Sequence, residues 1–271
     1  MNARILEHEH TGEGEPPLVL LPGGLTGWQS WLPLVPALSA DRRVVRLQPI
    51  ANAEGQAGRL GDRAYHASVE RDSIGKTLDS LGIEDMHLVG WSNGGRMALD
   101  FALAFPQRLR TLTMIEPAAW WLVCDSDQSA RDMAQLVARC AGREITDDDL
   151  RAFFVLDGIV GPEVDITSLP AWDFWSSCRQ TLSWYGEETV RSLAEGIEGF
   201  ERLQTPTLLI RGRSTTSWLA ATVALLAASL PDTKLVELDG GHACLLESAE
   251  DFVTAIRNHV RREETDLAAA G

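Results

Sequence analysis

The sequence predicts an α/β protein: a doubly wound, mostly parallel sheet with a helical segment inserted between two of its strands. Three observations carry this. Short apolar runs alternate with helical patterns of about 10 to 15 residues in both the first and last parts of the chain. The runs are continuous rather than alternating, as in Leu18-Val19-Leu20-Leu21 and Thr207-Leu208-Leu209-Ile210, which suits strands covered on both faces. The residues best suited to covalent chemistry fall just past the ends of these runs. Open α/β sheets bind ligands at that edge.

Taken in order, residues 1 to 16 are polar and Gly-rich, with one edge strand expected around Ile5-Leu6. The Leu18–Leu21 strand runs into Pro22-Gly23-Gly24-Leu25-Thr26-Gly27, a flexible loop. A helix is expected over Trp28–Leu38, a strand at Val44–Leu47, and a Gly-rich loop from Pro49 to Gly61. Tyr65–Leu81 reads as a helix with Val69, Ile74, Leu78 and Leu81 on one face. The strand at Met86–Gly90 feeds a helix over Arg96–Phe105, which Pro106 stops. Leu112–Ile115 is a further strand, ending in Glu116-Pro117.

From Ala118 to Thr205 the alternation breaks, and the segment is helical in pattern and rich in tryptophan. It divides the chain into a core of residues 1–117 and 206–271 and an insertion of residues 118–205. After Pro206 the alternation resumes: the strand at Thr207–Ile210, a helix over Trp218–Leu230, a last strand at Leu235–Leu238, an Asp239-Gly240-Gly241-His242 loop and a closing helix over Ala249–Val260. Residues 261–271 read as a frayed tail.

Composition narrows the function. The 271 residues carry a net charge of −15, which disfavours a nucleic-acid partner. The four cysteines are scattered without a Cys-x-x-Cys pair, so they read as reduced thiols of a cytoplasmic protein. The polar N-terminus does not have the form of a signal peptide, and no run approaches the ~18 apolar residues of a membrane span.

The chemistry centres on Gly90-Trp91-Ser92-Asn93-Gly94. A serine on a sharp strand-to-helix turn needs small neighbours, and Gly90 and Gly94 supply them. The helix that follows aims free N–H groups at developing negative charge. A serine hydroxyl also needs a base. His242, in a loop after the last strand, is the best placed of the six histidines. The base in turn needs an acid to hold its tautomer. Arg211 to Ser217, after the Ile210 strand, has no carboxylate. Glu116 is therefore the candidate, with Asp239 as rival. Asn93 N–H and Gly24 N–H are the candidate oxyanion donors.

These motifs resemble the α/β-hydrolase superfamily over nearly the whole chain. Leu20-Leu21-Pro22-Gly23-Gly24 is similar to its oxyanion loop, with proline where histidine is common. Gly90 to Gly95 resembles its nucleophile elbow, and Asp239-Gly240-Gly241-His242 with Glu247 its histidine loop. The resemblance implies the α/β-hydrolase fold, with a helical cap inserted after the strand that ends at Ile115, the sixth (β6) in the family's usual count. The displaced acid makes the chain look most like zearalenone (resorcylic lactone) hydrolases, which carry their acid after that strand. Haloalkane dehalogenases also do so, but need an aspartate where this chain has Ser92.

The expected function is thus a serine hydrolase of an ester or lactone of a hydrophobic small molecule. Ser92, His242 and Glu116 are its triad, with no metal or organic cofactor. The cap should shape the pocket, with Leu25, Trp120, Trp121, Phe154, Trp172, Trp175 and Trp184 as substrate-binding candidates. The protein is expected as a monomer or homodimer with a small molecule as its partner. The rival readings are a C–C bond hydrolase or acyltransferase on the same triad, and a ligand receptor with little turnover.

Overall fold

The computed structural model describes residues 1–186 and 197–270. Seven strands form one sheet: β1 (Glu7–Thr11), β2 (Leu18–Leu21), β3 (Val44–Gln48), β4 (Met86–Trp91), β5 (Leu109–Ile115), β6 (Thr207–Gly212) and β7 (Thr233–Leu238). Their spatial order is β1-β3-β2-β4-β5-β6-β7. Only β1 runs antiparallel, against β3; the other five pairings are parallel. The predicted α/β sheet is therefore present. After β2 the chain steps outward to β3, then crosses back to β4 on the other side. The loops leaving β2 and β4 diverge, and they leave a crevice at their C-terminal ends.

The continuous apolar runs follow from two-sided burial. In β2, Val19 and Leu21 join Leu47, Leu88 and Met114 on one face, while Leu18 and Leu20 join Val89, Ile115 and Ile210 on the other. The helices are α1 (Val35–Leu38), α2 (Ile50–Gln56), α3 (Ala67–Ser80), α4 (Asn93–Ala104), α5 (Gln128–Cys140), α6 (Asp147–Leu156), α7 (Trp172–Cys178), α8 (Ser217–Ser229), α9 (Cys244–Glu247) and α10 (Ala249–Ala270). α1 and α10 cover the second face through Val35, Leu38, Phe252 and Ile256, joined by Trp31 and Leu34 from the segment before α1. α3, α4 and α8 cover the first through Ile74, Phe101 and Val223.

Four local expectations are corrected. The edge strand starts at Glu7, because the Leu6 N–H is bonded to Thr77 Oγ1 at 2.8 Å and that residue is tied to α3. Trp28–Leu38 is not one helix but a 3₁₀ turn over Gly27–Trp31 and then α1. Pro33 and Pro36 have no N–H with which to continue a ladder. The stretch read as a loop after Pro49 contains α2, whose first N–H, on Ile50, is capped from a distance by Glu70 Oε1 at 2.8 Å. The tail does not fray at Arg261: α10 continues, and Arg42 forks onto Glu264 at 2.8 and 3.1 Å while Arg261 pairs with Asp41 at 3.0 Å.

Between β5 and β6 the described residues form helices and 3₁₀ turns and no strand. α5 is capped by Asp127, which accepts from Ala130 N–H at 3.0 Å. α6 opens with a capping box between Thr146 and Asp149. Residues 187–196 of the expected insertion lie outside the described residues.

Candidate active site

The elbow is built by close backbone approach. A Cβ on Gly90 would overlap the Gly94 carbonyl, and one on Gly94 would overlap the Leu21 carbonyl. Ser92 between them has φ 55° and ψ −119°. This strained backbone costs on the order of 1–3 kcal/mol and persists only where its surroundings over-determine it. They do so here. Ser92 N–H donates to Ile115 O at 2.8 Å, and Ser92 O accepts from Arg96 N–H at 3.1 Å and Ala118 N–H at 3.0 Å. Asn93 opens α4, so its N–H is among the four that an α-helix leaves without an internal acceptor.

Glu116 leaves β5 with φ 41°, its N–H bonded to Ile210 O at 3.0 Å. Its fully buried carboxylate accepts three hydrogen bonds: from Gly212 N–H at 2.8 Å, from Thr215 Oγ1–H at 2.9 Å, and from His242 Nδ1–H at 2.7 Å. The end of β6 and the loop after it, which lack an acid, thus each supply a donor to an acid from the neighbouring strand. His242 is itself held by Trp91, whose Nε1–H donates to the His242 carbonyl at 2.9 Å. Burial alone would lower the His242 pKa. The bond to Glu116 and the charges of Asp157 and Glu116 outweigh burial and raise it. Asp239, the rival acid, points away: it pairs with Arg213 at 2.6 Å, and its side chain is 84% exposed.

Ser92 and His242 open into one cavity of about 300 Å³. Gly23, Gly24 and Leu25 form one wall. The segment between β5 and β6 contributes Phe153, Phe154, Asp157, Ile159, Phe174 and Trp175, so it roofs the site. Of the seven residues singled out for substrate binding, the cavity contains Leu25, Phe154 and Trp175, the last two with ring centroids 4.5 Å apart. The other four lie elsewhere. Trp120 packs edge-on against Trp218 and Trp121, at 6.4 and 5.7 Å. Trp172 lies under the Arg179 guanidinium at 5.7 Å. Trp184 donates to Arg59 O at 2.8 Å. Trp120 and Trp184 pack the segment against α8 and the stretch after α2, while Trp172 packs within the segment, and indole type alone could not separate these roles from a lining one.

Reading the sequence also missed residues. The Thr215 hydroxyl was visible in the run that lacked an acid. Phe153 and Phe174 flank or neighbour the aromatics already chosen. Tyr185 had no signal: its hydroxyl donates to Gly24 O at 2.7 Å and accepts from Asn93 Nδ2 at 3.2 Å. Asn93 Oδ1 in turn accepts from Arg96 Nε at 2.8 Å. This buried chain bolts the β2 loop to the start of α4.

A family model described as the alpha/beta hydrolase fold matches residues 16–139. A solved hydrolase structure from Pseudomonas aeruginosa PA01 superposes with a TM-score of 0.72 at 23% identity, over 93% of each chain. The chain has the α/β-hydrolase fold. Among curated proteins, RutD of Azorhizobium caulinodans, a proposed carbamate hydrolase, is 27% identical over 260 residues, covering 88% of each chain. The 2-hydroxymuconate semialdehyde hydrolase of Pseudomonas sp. CF600 is 36% identical over 105 residues, 38% of this chain and 36% of that one. The names of these relatives cover both carbonyl–heteroatom and carbon–carbon bond hydrolysis. None of these names is a lactone hydrolase.

Proposed function

We propose that this α/β-hydrolase-fold protein is a serine hydrolase that cleaves an ester or lactone of a hydrophobic small molecule. The observation that carries this is the buried 2.7 Å bond between His242 Nδ1 and Glu116, with Ser92 and His242 facing one cavity. In this mechanism Ser92 Oγ attacks the carbonyl carbon and His242 Nε2 takes its proton. Glu116 fixes the tautomer and stabilises the imidazolium without becoming protonated. The N–H groups of Gly24 and Asn93 receive the oxyanion. Collapse of the tetrahedral species expels the alcohol oxygen, which takes the proton from His242. A water, deprotonated by His242, then attacks the acyl-enzyme, and collapse returns the proton to Ser92 and releases the acid.

The residues from 118 to 205 act as a cap on the core in this reading. Its Phe153, Phe154, Phe174 and Trp175 surround an apolar acyl or alcohol group. A carbamate, as in the name of the Azorhizobium relative, is an acyl group that fits the same steps. A second reading is hydrolysis of a C–C bond next to a carbonyl, favoured by the 36% local identity to the semialdehyde hydrolase.

Labelling with a fluorophosphonate, read by mass spectrometry, tests the reading. Adduct on Ser92 that is strongly reduced in Glu116→Gln supports it. A folded protein without adduct on Ser92 overturns it in favour of a receptor. Product analysis of an aryl ester, a macrolactone and a vinylogous 1,5-diketone separates the two hydrolytic readings.

A further inference from the structure

The cavity holds one charged group that the mechanism above does not use. Asp157 ends α6 with its backbone pinned: its N–H donates to Phe153 O at 3.0 Å, and the preceding carbonyl, of Leu156, accepts from Trp218 Nε1 at 2.8 Å. The residue is 3% exposed and lines the cavity. Among the described residues no donor bonds its carboxyl group and no Lys or Arg pairs with it. Buried carboxylates elsewhere in the molecule have partners: Glu116 accepts three bonds, Glu70 is held by Tyr65 and Ile50 N–H, and Asp149 by Arg143 and Thr146.

Most of what surrounds Asp157 opposes its charge. Burial and the nearby Glu116 push its pKa up to about 6, with only His242 acting the other way. The C-terminal end of a helix also disfavours an anion. At neutral pH the group is nonetheless largely ionised, because about 6 lies below 7. An unpaired buried anion is stabilised by whatever cation the cavity admits. The same cavity is lined by the aromatic side chains of Phe153, Phe154, Phe174 and Trp175. An anion in such a cavity suits an organic ammonium, which gains both the ion pair and cation–π contacts.

We propose that Asp157 is the cation subsite of this cavity, and that the substrate is an apolar, ring-bearing ester, lactone or carbamate carrying a protonated amine. The choice of assay rests on the hydrolase reading; the binding does not. The ammonium seats against Asp157 while the scissile carbonyl lies at Ser92. The Asp157 carboxylate makes no bond to reacting atoms; its charge reaches the chemical step only by raising the His242 pKa, which acts alike on substrates with and without the amine and leaves selection to the ion pair.

The test compares two 4-nitrophenyl esters of the same shape, of 4-(aminomethyl)benzoic acid and of 4-ethylbenzoic acid. The expected kcat/KM of the wild-type protein is about tenfold or more higher for the amine at pH 7.5, mostly through KM. The preference shrinks as pH falls below about 6, when Asp157 takes a proton. In Asp157→Asn and Asp157→Leu the ratio falls towards one, whatever the absolute rates. Equal rates on the two esters in the wild type, or a preference that survives in both variants, overturn the inference and leave the hydrolase reading standing. If neither ester turns over and Ser92 takes no fluorophosphonate, the hydrolase reading fails. Calorimetric titration with benzylamine then decides the subsite by itself. Binding lost in Asp157→Asn supports it, and equal or absent heats in both proteins overturn it.

Discussion

Glu116 shows how a carboxylate from the strand next to the elbow strand comes to bond His242. Its own backbone carries the strain, with φ 41°. Gly212 N–H and the Thr215 hydroxyl hold its oxygens, so that one of them meets His242. Glu116→Gln keeps the shape but loses the charge and the correct tautomer, and kcat is expected to fall by on the order of 10³ to 10⁴. Asp239→Asn, which breaks only an exposed pair with Arg213, is expected to change kcat less than about threefold. The same pair of variants separates the two acids in a pH profile. His242 is the base only when neutral, and its pKa is raised above the usual 6.5. The acid limb of kcat/KM is therefore expected above pH 6.5 in the wild type. In Glu116→Gln, which removes two of the influences that raise it, the limb moves to lower pH. A limb that stays in place would show that His242 is not the titrating base.

At the scale of elements, the site depends on three loops packed backbone to backbone. Gly90 and Gly94 let β2, β4 and α4 approach within the reach of a missing methyl. Gly90→Ala is expected to cost about 1–3 kcal/mol or more, read as a lowered denaturant midpoint at unchanged slope. The β2 loop is also tied by hydrogen bonds: Asn52 and Gln56 donate to Gly23 O and Thr26 O at 3.3 and 3.1 Å, and Tyr185 links Gly24 O to Asn93. Tyr185→Phe loosens that loop at Gly24, whose carbonyl loses its donor, while the bonds at Gly23 and Thr26 remain. A donor held 1 Å too loosely stabilises the oxyanion less than the ground state is affected. The expected result is a fall in kcat of about tenfold or more with a smaller change in KM. A matching fall in substrate binding alone would place Tyr185 among the walls of the pocket.

At the scale of the whole molecule, acid sensitivity follows from a histidine inside the sheet. His87, on β4, is 1% exposed and bonded to Thr111 Oγ1 at 2.9 Å. Burial, and then the charge of Arg42, lower its pKa from 6.5 to about 4 against the opposing pull of Glu264. Between those values the unfolded chain takes up a proton that the folded one refuses. Stability therefore falls as pH drops from about 6.5 to 4, by about 3 kcal/mol for this group. His242 has the opposite sign. Its raised pKa adds stability that is fully present below pH 6.5 and is lost as pH rises through the raised value. Chemical denaturation at pH 7 and pH 4.5 is expected to show the loss, with a smaller difference in His87→Gln than in the wild type. An equal difference in both would assign the acid sensitivity to the carboxylates.

The sheet was legible in the sequence because two-sided burial writes a simple code: strands with no polar face, such as Leu18–Leu21 and Met86–Gly90, separated by helices. The elbow and its glycines were legible because a strained turn permits few residues. Even the pairing of Glu116 with His242 could be read, since the Arg211–Ser217 run holds no carboxylate and Glu116 ends the adjacent strand. These are local demands, and each leaves its mark on a few consecutive residues. The α2 helix, the continuous α10 and the broken Trp28–Leu38 stretch were less legible, because distant partners such as Glu70 and Arg42, or the spacing of two prolines, decide them. Which tryptophans pack and which line the cavity is also a matter of distance. An indole buries much the same area in either role, so Trp175 and Trp184 look alike in the chain. The solitary Asp157 carboxyl and the Tyr185 bridge are properties of places where separate segments meet. Only the tertiary structure decides them, because a missing partner, or one 161 residues away, is not encoded in any neighbouring residue.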